Sequence, residues 1–353
     1  VPHSSKLPAD TAELSAAHPL QACWNLQLSG LGADALQAAL DCALFDHLDA
    51  FTRAADLAQR LTLDAHSTEL ILEVLWSLAL LERDPQQPTH YRNLPVAAQH
   101  LNSGARDYCG DALAFRHRVM RQTGSQLGDY LRNGVSRIDS TPSASGLAWA
   151  NAARLQIAQE QRAVTGEVAC ALLERLPEFR QVQRLLDLGG GPGLVAIAMA
   201  KALPDLHGVV FDYPETAAVA ADNIYQAGLQ QRLSAQGGDL NTDDIGSGFD
   251  LIWCSSVLHF VDDLPASLNR LHGALRPGGL LVCCQAEVPR ERQAAAQVLP
   301  YYLHMRLQGR HVLDEGELAV HLQQVGFCGV QQLTGLRFPV TPVNAVIARR
   351  AQG

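Results

Sequence analysis

The chain has no surplus of positive charge: 27 Lys and Arg stand against 36 Asp and Glu, for a formal net charge of -9. Without a basic field to meet phosphates, a nucleic-acid partner is not expected. Nor is there an apolar run of the roughly 18 to 20 residues that a membrane-spanning helix requires, so no membrane partner is expected. The opening VPHSSKLPAD lacks the apolar centre of a signal peptide, and a cytoplasmic location is the expectation. None of the eight cysteines stands in a CxxC pair, which argues for small buried thiols in a reducing compartment and against a thiolate metal site or a redox pair. Internal repeats are absent as well.

What is present is apolar content, 47% over 353 residues. That is enough for more than one core, since single cores rarely grow beyond about 250 to 300 residues. From Leu20 to about Leu101, apolar residues recur at spacings of three and four in LGADALQAALDCALFDHL, RAADLAQRL and STELILEVLWSLALLE, the period of short amphipathic helices. Asp64 or Ser67 is placed to cap the third helix, and Asp84 to Asn93 supply the turn of a small β-wing. The third helix carries Glu69 and Glu73 and no Lys or Arg, a poor phosphate reader for a winged-helix-like module. Its apolar surplus at Leu70, Leu72, Leu75 and Trp76 predicts packing against a second copy, a homodimer. Residues 111–135 and 147–176 read as longer helices on either side of VSRIDSTPSASG.

After Gln181 the texture changes to strand and helix in alternation: RLLDL, LVAIAMAKAL, HGVVFD, AAVAADNIYQAG, LSAQGGD, then the strands FDLIWCSS and GLLVCCQA. Near-continuous apolar strands between helices predict an α/β fold with a doubly wound parallel sheet covered on both faces. The division expected is 1–101, helical and dimerising; 102–180, linking helices that contribute to a substrate pocket; and 181–353, the domain built on the sheet.

LLDLGGGPG ends the first strand of that sheet and opens its first helix, where ligands bind outside the carboxyl ends of strands. The dinucleotide fingerprint G-x-G-x-x-G fails from Gly189, because Leu194 stands where the third glycine belongs, and from Gly190, because Pro192 stands at the second. The Gly-Lys-Ser/Thr ending of a P-loop is missing too. The pattern that fits is D-x-G-x-G-x-G: Asp187, Gly189, Gly191 and Gly193. It resembles motif I of the class I S-adenosylmethionine (SAM) dependent methyltransferases. A cofactor without phosphate needs close backbone approach to an amino-acid moiety and a ribose, with an acid near the α-ammonium. Asp212 closes the second strand and is expected to take both ribose hydroxyls; Asp239, with Leu240 beside it, follows the third strand and is expected at the adenine.

At the far end of the sheet, His259 stands just past the fourth strand and Glu287 at the end of the fifth. If these strands are neighbours, both side chains reach one crevice, and a carboxylate on one imidazole nitrogen leaves the other free as a base. Leu258 and His259, a glutamate 28 residues on, and FDYP at 211–214 resemble the plant-type small-molecule O-methyltransferases and their bacterial natural-product relatives. That resemblance implies a Rossmann-like methyltransferase sheet with an N-terminal winged-helix-like dimerisation domain, SAM as cofactor, and a small-molecule acceptor of secondary metabolism. It further implies O-methylation with His259 as general base, oriented by Glu287. The chain departs from the family in Phe260 and Val261 after the histidine, and in GRHVLDEGE, where His311 stands near the place of a second glutamate.

This leaves an alternative open. His304 and His311, seven apart, are placed to share a helix face, and with His259 and Asp262 would suit a divalent metal in a C-methyltransferase acting on an α-keto acid. A protein that binds the cofactor without methyl transfer is the third reading.

Overall fold

The computed structural model describes residues 17–135 and 142–352, the side chains of 142–145 excepted. The opening VPHSSKLPAD lies outside the described residues, as do 136–141 of the VSRIDSTPSASG segment; from Pro142 that segment is already helical. The chain divides into two compact units, Val1–Arg106 and Asp107–Gly353.

The first unit holds α1 (Gln21–Asp41), β1 (Thr52–Arg53), α2 (Ala54–Leu61), α3 (Ala65–Ser77), β2 (Leu81–Arg83), β3 (His90–Asn93) and α4 (Pro95–His100). The strands form one antiparallel sheet in the order β1-β3-β2. Asp64 is the cap of α3: its carboxylate accepts the Ser67 N–H at 2.8 Å. Asp84 closes the wing turn by accepting the N–H groups of Gln86 and Gln87 at 2.8 and 3.3 Å. The surplus expected on α3 divides in two. Leu72 and Leu75 are fully buried and pack with Phe45, Leu57 and Tyr91 in this unit's own core, whereas Leu70 and Trp76 stay exposed. On α1, Leu26, Leu28 and Leu31 are exposed as well.

The second unit begins with α5 (Gly110–Asn133). A long helical run follows, α6 (Pro142–Ala152) through α7 (Gly166–Leu173), interrupted by π-helical turns at Ala153–Ile157 and Gln161–Thr165 with one short α-turn, Ala158–Glu160, between them. Next come β4 (Arg184–Leu188), α8 (Leu194–Ala202), β5 (His207–Asp212), α9 (Pro214–Gln226), β6 (Leu233–Gly237), β7 (Phe249–Ser255), α10 (Leu264–Ala274) and β8 (Leu275–Gln285). The last elements are α11 (Arg292–Leu307), α12 (Glu317–Gln324), β9 (Phe327–Leu336) and β10 (Val343–Arg350).

The seven strands run in the order β6-β5-β4-β7-β8-β10-β9. Alternate residues feed opposite layers: Leu185, Trp253 and Val282 pack with residues of α7, α8, α9 and α11, while Leu186, Ile252 and Leu281 pack with residues of α10 and α12. Burial on both faces is why these strands are continuously apolar. The pairs among β4 to β8 are parallel, as expected. The final two strands depart from an all-parallel sheet, because β10 runs antiparallel to both β8 and β9. Only a short loop joins β9 to β10, and a chain that returns without a crossover helix must pair antiparallel. β9 is a largely exposed edge strand, so it lacks the apolar signature that betrayed the others.

The thiol expectation holds for Cys254, Cys283 and Cys284, which are buried; Cys23, Cys42 and Cys328 are exposed. Among the described residues, no helix is long and apolar enough to cross a membrane.

Candidate active site

β4 has neighbours on both sides, β5 and β7, so the order of strands reverses there and a crevice opens at its carboxyl end. The glycine loop fills that position. Gly189, Gly191 and Gly193 have φ of +61°, +59° and +74°, a region costly to any residue with a Cβ. They differ in what surrounds them. A Cβ on Gly189 would lie 2.3 Å from Val257 Cγ2, whereas one on Gly191 would come no closer than 3.5 Å to anything. Gly189 is required by packing; at Gly191 packing is no obstacle, and only the backbone conformation disfavours a side chain.

Asp187 is buried beneath this loop, and its Oδ2 has no hydrogen-bond partner among the described residues. Burial, reinforced by the charge of Asp212, pushes its carboxyl up to about 7, against the opposing Ala196 N–H. Asp212 ends β5 and accepts the N–H groups of Gly191 (2.9 Å) and Tyr213 (2.8 Å), one on each oxygen. Burial raises it to about 6, with those two donors opposing. Each of its oxygens keeps a further lone pair for a hydroxyl donor. Asp239 closes a small ring with one oxygen, accepting both the N–H (2.9 Å) and the Nδ2 (3.1 Å) of Asn241, and half-buried Leu240 stands between them. An orphaned buried carboxylate, a bare loop and an acid at the end of the next strand fit the ammonium, the amino-acid backbone and the ribose of SAM.

The base candidate follows β7, the strand next to β4 on its other side. β7 is paired in parallel with both β4 and β8, and the turn Leu258–Phe260 that follows it buries His259. The His259 segment and the His311 segment hold each other: the His311 N–H donates to the His259 carbonyl at 3.3 Å, and His259 Nδ1 meets the His311 carbonyl at 2.5 Å. A carbonyl only accepts, so Nδ1 carries the proton and Nε2 presents a lone pair. Nε2 is buried and has no partner among the described residues. Burial, the dominant cause, lowers this histidine to about 4, so the imidazole is neutral under physiological conditions. The ring lies 5.1 Å from the Tyr302 ring and 6.3 Å from Phe260. Phe260 in turn stands edge-on to Trp149 at 5.0 Å, with the Arg310 guanidinium 5.4 Å from its centre.

Glu287 does not take the place expected of it. Its carboxylate accepts the N–H of Gly316 (3.2 Å) and Leu318 (3.1 Å), Gln332 Nε2 (2.7 Å) and Asn344 Nδ2 (2.8 Å), and no hydrogen bond joins it to His259 among the described residues. Four donors at the N-terminus of α12 and the β9–β10 hairpin outcompete one imidazole, and an anion at a helix N-terminus is itself stabilised. The backbone of His311 orients His259 instead. That partner was invisible in the sequence because every residue has a carbonyl.

The histidines expected to share a helix face do not. His304 lies on α11, which ends at Leu307, and His311 lies beyond that end. His304 Nδ1 meets the Tyr301 carbonyl at 3.0 Å. Among the described residues no three His, Cys, Asp or Glu side chains converge as a metal-ligand set, so His259, His304, His311 and Asp262 do not form the donor group imagined for a divalent ion. In the linking helices expected to contribute to a substrate pocket, Trp149 joins these aromatic surroundings and Phe115 lies 5.7 Å from the Arg116 guanidinium, while Met120, Asn151 and Arg154 are exposed.

Several residues near the site carried no advance signal. Ser256, just past β7, adopts φ +56° with its N–H held by the Cys284 carbonyl at 2.9 Å. A non-glycine residue in that conformation stores strain at the rim of the crevice. Arg116 is clamped by Glu160 through two bonds of 3.0 and 2.8 Å and lies over the Tyr301 ring at 5.2 Å.

A switch-point glycine loop on this sheet, followed by acids at two successive strand ends, defines a SAM-dependent methyltransferase. Residues 149–328 match the model of the O-methyltransferase domain and residues 24–103 that of the O-methyltransferase dimerisation domain; the chain belongs to the O-methyltransferase family. It is 30% identical over 259 residues to the N,N-dimethyltransferase OxyT of Streptomyces rimosus, covering 71% of this chain and 73% of that one. It is 28% identical to the 3-hydroxy-5-methyl-1-naphthoate 3-O-methyltransferase of Streptomyces sahachiroi, covering 89% and 90%. The fold is shared with human N-acetylserotonin methyltransferase, solved in complex with SAM, at a TM-score of 0.78 and 20% identity over 96% of this chain and 99% of that one.

Proposed function

We propose that this methyltransferase methylates a hydroxyl of an aromatic, polyketide-like small molecule of secondary metabolism, with His259 as the general base. The observation that carries it is the buried, unpartnered Nε2 of His259, its tautomer fixed from the opposite side by the His311 carbonyl. The flat walls offered by Trp149, Phe260 and Tyr302 suit a planar acceptor. The similarity to a naphthoate O-methyltransferase supports the same class.

SAM, when bound, supplies an electrophilic methyl group on a sulfonium. Asp187 would meet the α-ammonium, Gly189, Gly191 and Gly193 would let the backbone approach, Asp212 would receive the ribose hydroxyls, and Asp239 with Leu240 would border the adenine. Contacts of this kind would hold the cofactor so that its methyl group could be presented to the acceptor oxygen, and such positioning supplies much of a transfer rate. His259 then receives the hydroxyl proton at Nε2. A base depressed to about 4 is weak toward a resting phenol. The oxygen, however, becomes strongly acidic as it acquires the methyl, so the proton moves late and a neutral, ready lone pair matters more than high basicity.

The test is His259→Ala, assayed by release of S-adenosylhomocysteine (SAH) with a panel of phenols and naphthols. Turnover should fall by roughly 10² to 10⁴-fold and recover in part at high pH, as the acceptor ionises by itself, while SAH affinity is retained. At saturating SAM, wild-type turnover should keep its plateau well below pH 6, because the histidine titrates near 4. Full activity in the variant overturns the assignment. Loss of a bound metal together with activity, without rescue at high pH, would instead favour the C-methyl reading.

A further inference from the structure

Gly193 sits at the N-cap of α8 and brings no side chain to the orphan N–H groups of that helix. The cap comes from 33 residues upstream. Gln161 Oε1 accepts the Leu194 N–H at 3.1 Å, and Gln161 Nε2 donates to the Gly190 carbonyl at 3.1 Å. One amide therefore staples both ends of the glycine loop. Ile157 and Gln161 are also the nearest neighbours of the space above Gly191, at 3.5 and 3.7 Å from where a Cβ would stand.

Gln161 opens the second π-helical turn, and Ile157 closes the first. A π-turn inserts a residue and rotates the side chains that follow, and such turns mark functional sites. Here the residue just before Gln161 makes contacts in another direction. Glu160 clamps Arg116, Arg116 lies over Tyr301, Tyr301 stands edge-on to Tyr302 at 5.0 Å, and Tyr302 packs on His259. Two consecutive residues thus hold the cofactor loop on one side and the aromatic surroundings of the base on the other.

We propose that Gln161 is a positioning residue for SAM, and that the π-interrupted segment 153–165 couples occupation of the glycine loop to the order of the Tyr301–Tyr302 wall beside His259. The inference rests on the reading that the loop between Asp187 and Leu194 holds SAM. Binding is measured by calorimetry with SAH on the full chain, so no acceptor is required. Two bonds of ordinary strength correspond to a loss of about five- to thirtyfold, expected for Gln161→Ala and equally for Gln161→Met, which keeps the bulk and removes the amide. Hydrogen exchange supplies the second readout. In the wild type, SAH should slow exchange in both 189–196 and 298–306; in Gln161→Met the second protection should be lost. Asp212→Ala separates the two ideas. If it loses affinity while both Gln161 variants stay within twofold of wild type, the staple is refuted and the cofactor site stands. If Asp212→Ala binds normally, the site reading itself falls. Unchanged protection of 298–306 in Gln161→Met refutes the coupling.

Discussion

At Asp187, burial and the neighbouring Asp212 charge push the carboxyl up to about 7, whereas on the proposed assignment SAM or SAH would bring it an α-ammonium that needs the ionised form. The ligand-free protein therefore carries a proton there on the acid side of neutrality, and binding must expel it. Because the group is protonated below 7, affinity for SAH should fall as the pH drops through about 7, by up to about tenfold per pH unit for one coupled proton. Asp212, raised to about 6, adds a second proton at lower pH. Calorimetry from pH 5.5 to 8.5 checks this: the wild type should show the slope, and Asp187→Asn should bind weakly with the upper part of the profile flattened. The acids and glycines of this site were legible because their spacing along one strand-turn-helix is local. The distinction between Glu287 and the His311 carbonyl as partner of His259 was not. It depends on which donors the hairpin and α12 bring to Glu287, from residues up to 57 positions away.

Elements repeat the lesson at larger scale. The strand β4 and the helix α8 are each plain in the sequence, but the three glycines between them do unlike work. Gly189→Ala combines a left-handed conformation with a clash against Val257, and should cost about 2 to 4 kcal/mol of stability. Gly191→Ala meets only ordinary van der Waals contact with Ile157 and Gln161 and should cost only about 1 to 2 kcal/mol while crowding the side from which a cofactor would approach. Thermal or urea unfolding beside SAH titration separates them: Gly189→Ala should lose mainly stability, Gly191→Ala mainly affinity. Equal losses in both measurements would contradict the division. The π-turns had no such signature. RLQIAQEQRAV reads as uninterrupted helix, and it is the contact with the glycine loop that gives the extra residue per turn something to do.

For the molecule as a whole, the first unit exposes Leu26, Leu28 and Leu31 on α1 and Leu70 and Trp76 on α3, apolar surface of the kind that marks an interface, in a segment matching a dimerisation domain. Light scattering at micromolar concentration should report a dimer. Leu70→Asp with Trp76→Asp should shift it toward monomer without unfolding the unit, since neither side chain lies in its core. A monomeric wild type, or a double variant that remains dimeric, would place the contact elsewhere or remove it.

What the sequence by itself determined is what local spacing can carry: an N-terminal helical region ahead of an alternating α/β sheet, the glycine loop after its first strand, the acids at strand ends and the base candidate after β7. Periodicity of apolar residues and turn chemistry act within ten or twenty positions, so they survive in a string of letters. Only the tertiary structure decided which apolar residues of α3 are core, that the sheet ends in an antiparallel hairpin, that Glu287 serves that hairpin, and that Gln161 caps a helix 33 residues away. Each of these depends on competition for hydrogen-bond donors or for buried space among distant segments, and that competition is settled when the chain closes on itself.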